Sequence, residues 1–281
     1  MDLLREPGVL AAVFVTGAWY LHGSRRSQLY VVGGRRRQAF PWRGLSFAAA
    51  LLTLIVVLDS PLERLADGRF WAHMLQHVLL MMVAAPLIAL GAPWLPLWRP
   101  LPLSFRRTIA RAVVKGPMFA WLRTSAKWIA RPAPAFIVFN LDLGLWHVPY
   151  FYDLTLRNSG MHYLEHVSFL VLGVLFWAQV VDSPPFHARL QPFARAIYAT
   201  AGSAASWLLA VVLALATTPL YPAQHTSHSG ISAITDQQLA AGVMIGLGSI
   251  PYAIVVFYWL YVWLSAEEPR RRRRLGHAAV P

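Results

Sequence analysis

The chain has no cysteine. That excludes a disulfide framework, a CxxC metal site and thiol chemistry, so a soft-metal site must be built from histidine, methionine or carboxylates. Charge is scarce too. Only 13% of the 281 residues are Asp, Glu, Lys or Arg, about half the share in an ordinary soluble domain. Acidic residues are the scarcer sign, 12 against 25 Lys and Arg. Apolar residues fill the space, at 57% of the chain. One membrane domain over 1–281 uses nearly all the length and leaves no room for a soluble domain with its own core. No internal repeat is visible.

Seven apolar segments can be marked, near 8–22, 44–58, 70–91, 133–150, 161–181, 196–218 and 238–264. Crossing ~30 Å of hydrocarbon takes roughly 20 residues. Each segment is read as a helix, because an open strand edge in lipid leaves backbone groups unsatisfied. The predicted fold is therefore all-α, an integral membrane bundle of seven transmembrane helices. Twelve Trp and ten Tyr suit an interfacial aromatic belt.

The basic residues set the orientation. Arg25, Arg26, Arg35, Arg36, Arg37 and Arg43 lie between spans 1 and 2, and eight Lys and Arg run from Arg99 to Arg131 between spans 3 and 4. Arg189 and Arg195 follow span 5, and Arg270 to Arg274 follow span 7, giving 21 on one side. Only Arg5, Arg64, Arg69 and Arg157 fall on the other. This asymmetry predicts the N-terminus outside and the C-terminus in the cytoplasm of a multi-pass cell-membrane protein. Span 1 lacks the basic n-region of a cleavable signal peptide. The basic tail reads as a stop and a contact for anionic lipid. No stacking or groove-reading motif accompanies it, so a nucleic-acid partner is not expected. The 99–131 segment is either an amphipathic stretch on the inner membrane surface or a basic linker, with a break expected at Gly116-Pro117.

The ten histidines are unevenly placed. His73 and His77 fall in the outer turns of span 3, His147 at the outer end of span 4, and His162 and His166 in the first turns of span 5. His225 and His228 fall in the next outer loop, where they could receive incoming metal or simply be solvated. His22, His187 and His277 map to the other side. His73-x-x-Gln76-His77 and His162-x-x-Glu165-His166 each stack two imidazoles one helical turn apart. Gln76 and Glu165 can ligate, or orient a histidine through its second N–H. Ionisable groups inside spans are costly and point to function. Five imidazoles on three spans at one depth outweigh the bland reading of a polar interhelical network.

Imidazole accepts Zn, Cu, Fe and Ni. Met74 and Met161 each adjoin a site histidine, and a thioether favours Cu(I), although either could simply fill the core. Asp236, at the mouth of span 7, either closes the site or caps its helix. Asp142, mid-span 4, serves either ion movement or a structural hydrogen bond. Three further readings remain open. Two facing histidines could ligate haem. HxxEH could hold zinc in a membrane hydrolase with Glu165 as base. A metal-free scaffold could hold partner subunits.

At these residues the chain resembles the membrane-embedded assembly factors of caa3-type cytochrome c oxidase, called CtaG in bacilli. The matching stretches are HMLQHVLLMMVAAPLIALGAP at 73–93, LWHVPYFYDLTLRNSGMHYLEHVSFLVLGVLFW at 145–177 and ISAITDQQLAAGVM at 231–244. The resemblance implies a non-enzymatic chaperone that matures a haem-copper oxidase in the same bilayer, with copper as the cargo. Its motif residues fall on His73, Gln76, His77, Trp146, His147, Tyr152, His162, Glu165, His166, Asp236 and Gln237. After Met244 the family pattern continues with an aromatic, whereas this chain has Ile245 and Gly246.

Overall fold

The computed structural model describes residues 7–25, 31–32, 35–36, 41–221 and 230–278. It is helical apart from a two-residue antiparallel ladder, Val31–Val32 against Arg35–Arg36, and an isolated bridge between Ser183 and Phe186. The helices are α1 Pro7–Arg25, α2 Pro41–Leu58, α3 Pro61–Ala66 and α4 Phe70–Gly91. Then come α5 Trp94–Trp98, α6 Leu103–Lys115, α7 Ala120–Ile129, α8 Pro132–Trp146, α9 Pro149–Arg157, α10 Ser159–Trp177, α11 Pro192–Leu215 and α12 Ala233–Ala278.

Among the described residues four helices are long and apolar enough to cross a membrane: α4, α10, α11 and the Ala233–Glu268 part of α12. Trp42–Leu58 is apolar but shorter. The segment expected at 133–150 is helical only to Trp146, because Pro149 drives Val148 into extended backbone (φ −70°, ψ 126°). α9 then starts afresh. This break leaves His147 at the end of α8 rather than inside a continuous span.

α4 is the central element, packed against α2, α10 and α12. In its apolar window 67% of residues are buried, against 28% for α10 and for α12. The outward faces of those two helices are apolar, with Leu164, Val167 and Val171 on α10 and Ile250, Ile254 and Phe257 on α12 all exposed. Apolar surfaces of this extent belong against lipid.

α4 contains a π-helical turn at Leu79–Ala84. Its cause is Pro86. In that turn the Ala85 N–H donates to the Leu80 carbonyl, so the next donor in the pattern would bond the Met81 carbonyl. Proline has no N–H. The freed carbonyl instead accepts from the Trp177 indole on α10, at 2.7 Å. Gly173 allows this approach, since a Cβ there would stand 3.0 Å from Ala85 Cβ.

The 99–131 segment forms two helices, α6 and α7, neither with a buried residue. They break at Gly116, as the Gly-Pro pair predicts. A Cβ at Gly116 would lie 2.3 Å from the Ala112 carbonyl oxygen. Arg123 ties the two together by donating to the carbonyls of Val113 (2.9 Å) and Gly116 (2.6 Å).

Candidate metal centre

The histidines converge because two helices start together. His73 and His77 occupy the first two turns of α4, and His162 and His166 the first two turns of α10. The His73 and His162 rings stack at 5.3 Å, and the His77 and His166 rings meet edge-on at 5.5 Å. Within each helix the pairs are closer, 4.4 Å for His73–His77 and 4.3 Å for His162–His166.

Glu165 lies among them and is fully buried (0% exposed). Its Oε1 is 3.5 Å from His77 Nε2 and its Oε2 is 3.7 Å from His73 Nε2. Donor atoms of His73, His77 and Glu165 lie within 4.8 Å of one another, and so do those of His162, Glu165 and His166. Nε2 of all four rings and both Glu165 oxygens are buried without a hydrogen bond among the described residues. Each such buried polar atom costs about 1–3 kcal/mol unless something completes it. Four imidazoles and one carboxylate with inward-facing donors fit a metal ion. His162 is only half-buried and lines, with His166, Glu63 and Ser159, a cavity of about 490 Å³ bounded by apolar side chains of α1, α2 and α10. This cavity gives the centre a way in.

His147 stands apart from this group. Its Nδ1 donates to the Leu143 carbonyl at 2.7 Å, which leaves Nε2 as the lone-pair nitrogen, buried and without a hydrogen bond. It shares a small cavity with His77 and Met74. Tyr221 holds the turn by donating to the His147 carbonyl at 2.6 Å.

The supporting residues sort differently from the sequence reading. Asp236 caps a helix other than its own. Its oxygens accept from the Phe70 N–H (Oδ2) and Trp71 N–H (Oδ1), both at 2.9 Å. It caps α4, whose first N–H groups have no partner of their own, and so fixes the helix that carries His73 and His77. Gln237 accepts from the Leu220 N–H at 2.8 Å and donates to the Leu213 carbonyl at 2.9 Å, locking α12 to the end of α11. Gln76 is turned toward α2 and α3, where its amide donates to the Val57 carbonyl (2.8 Å) and the Glu63 carboxylate (2.6 Å). Asp142 accepts from Trp146 Nε1 and Ser168 Oγ, each at 3.0 Å, the structural one of its two readings. His225 and His228 lie outside the described residues.

Sequence spacing gave no sign of Glu63, which reads as a loop acid, or of Tyr221. Tyr152 entered only through the resemblance. It is fully buried with its ring 5.3 Å from that of His73, a wall of the centre.

The pairing of HxxQH on one helix with HxxEH on another, closed by an aspartate from a third, can be set beside known proteins. The sequence pattern of the cytochrome c oxidase caa3 assembly factor family (Caa3_CtaG) matches residues 18–266. The chain belongs to this family. It is also similar to an uncharacterized protein of Mycobacterium bovis and to one of Mycobacterium tuberculosis, each 23% identical over 251 residues. The match covers 86% of this chain and 38% of each relative, so the chain spans well under half of their length. No solved structure matches it. Every element of the centre falls inside the matched region.

Proposed function

We propose that this assembly factor binds a copper ion between α4 and α10 and passes it to a haem-copper oxidase in the same membrane. His73, His77, His162 and His166 supply the imidazoles and Glu165 the carboxylate, while Asp236 and Tyr152 hold the frame. The observation that carries this reading is the set of inward-facing nitrogen and carboxylate donors, buried and without hydrogen bonds. Family membership supplies the oxidase. Copper over zinc is argued from the cargo such an oxidase needs and from the thioethers beside His77. The ring spacings of 4.3–5.5 Å, with a carboxylate between, favour an ion over a haem macrocycle.

The topology proposed with it is seven spans, N-terminus outside, with the centre in the outer leaflet. The helix ends support it. α4, α10 and α12 start at the histidine end, where Asp236 of α12 caps α4. α2, α8 and α11 finish there, through Val57, His147 and Leu213. The basic α6–α7 segment lies at the opposite ends of α4 and α8, as cytoplasmic charge should.

Metal content of the purified protein tests the reading, measured by elemental analysis alongside visible absorption. The expected result is bound copper without a Soret band, and loss of the Glu165-centred copper in a His77→Ala, His166→Ala double variant. Copper retained at full stoichiometry in that variant would sink the site. A Soret band would move the reading to haem.

A further inference from the structure

One buried histidine environment is not used by the proposed centre. Just beyond His77, a void of about 10 Å³ is lined by Met74, Met81, Met82, Met244, His77 and His147. That is about the space of a single water-sized sphere, suited to one ion and too small for an organic ligand. Four of the chain's seven methionines stand around it. Methionine is a common gap-filler, and all four are buried in the core. The imidazoles argue for more than filling. His147 Nε2 and both His77 nitrogens are buried without a hydrogen bond. His147 is also oriented by its Nδ1–H bond to Leu143, the arrangement in which a histidine presents its other nitrogen to a metal.

We propose that this void is a second metal site, specific for Cu(I), with thioethers from α4 and α12 and imidazoles from His77 and His147. Thioethers select cuprous over cupric copper and zinc. The nearby His–carboxylate centre lacks that selectivity. His77 belongs to both groups. Its Nε2 faces Glu165 and its ring borders the methionine-lined void. A copper ion can therefore pass from one site to the other around a single side chain, staying Cu(I) with no electron required; because neutral imidazole has one lone-pair nitrogen, the His77 ring proton moves to the nitrogen that the ion leaves. The π-turn contributes here. It widens α4 at Leu79–Ala84, where Met81 and Met82 both reach the void. The inference rests on the copper reading of the first centre.

The test uses full-length protein in detergent, titrated anaerobically with Cu(I) and examined by X-ray absorption at the copper edge. The wild type is expected to bind two Cu(I), with a copper–sulfur component in the spectrum. A Met81→Leu, Met82→Leu, Met244→Leu variant keeps core volume and is expected to bind one, with nitrogen and oxygen neighbours only. His162→Ala with Glu165→Gln is expected to keep the sulfur component while losing the other ion. A monodisperse size-exclusion profile shows that each variant is folded. Wild-type protein with a single copper and no sulfur neighbour overturns the second site and leaves the first standing. An unchanged spectrum in the methionine variant overturns it as well. Wild-type protein that binds no copper sinks both readings.

Discussion

Two buried polar clusters sit at opposite ends of this bundle, and they are built on opposite rules. At one end Arg195 is 7% exposed, and its N–H groups are fully answered. Nε donates to the Leu190 carbonyl at 2.8 Å. Nη1 donates to the Val180 carbonyl and Asp182, and Nη2 to Asp182 and the Ala188 carbonyl, at 3.3–3.4 Å. The guanidinium also lies 4.2 Å above the Trp259 ring, whose own N–H donates to Val180 at 2.9 Å. At the other end His73, His77, His166 and Glu165 are as buried and His162 is half-buried, yet Nε2 of all four rings and both carboxylate oxygens bond to nothing among the described residues. A satisfied cluster holds structure together, whereas an unsatisfied one gives up stability to keep donors available.

This contrast can be broken by mutation. The largest effect on binding is expected from His77→Ala with His166→Ala, which should abolish copper at the Glu165 centre. Its thermal midpoint in metal-free detergent should stay level or rise, because orphaned polar atoms are removed. A clear drop in midpoint would mean that these imidazoles are structural after all. Arg195→Met should do the reverse, costing about 2–3 kcal/mol while copper content per folded molecule stays unchanged. Asp236→Ala sits between the two. Loss of the α4 cap should cost about 1–2 kcal/mol and also weaken copper binding, because the first turn carrying His73 loosens. Thermal unfolding and copper titration of the same sample separate the two losses.

The smallest effect concerns pH. Burial works against the Asp182 charge, but the Ala188 N–H and the Arg195 guanidinium outweigh it and hold the carboxyl below its usual range. A lowered carboxylate adds stability at neutral pH, lost as pH falls below the ordinary carboxylate range of about 4 and on through the lowered value. Asp182 is 45% exposed, so the contribution is under about 1 kcal/mol. Asp182→Asn should flatten the acid limb of the midpoint-versus-pH curve.

Much of this was legible in the sequence because it depends on period and side. Two His pairs at i, i+4 in the first turns of two apolar segments put four imidazoles at one end. The charge asymmetry placed those segments in parallel. The Gly116-Pro117 break followed from backbone sterics alone. What the sequence hid were partners across space. Asp236 reads as a cap for its own helix, yet the N–H groups it serves lie 166 positions away. Gln76 repeats the position of Glu165 in its motif but faces α2 and α3, a choice set by packing. Span 4 is continuous by hydropathy, and only Pro149 marks where it ends. The methionine-lined void needs the phase shift of the π-turn, which no α-helical period reproduces.

The Trp177–Met81 bond has a consequence for biosynthesis. When α4 enters the bilayer, Pro86 leaves the Met81 carbonyl without a donor, a debt of several kcal/mol in hydrocarbon. The indole that settles it is 96 residues further along the chain, on the helix that brings His162, Glu165 and His166. The ribosome must therefore deliver α10 before α4 is a finished helix. His73 and His77 wait in an incompletely bonded segment until His162 and His166 arrive, so assembly of the histidine cluster and completion of the helix coincide in a single docking event during synthesis.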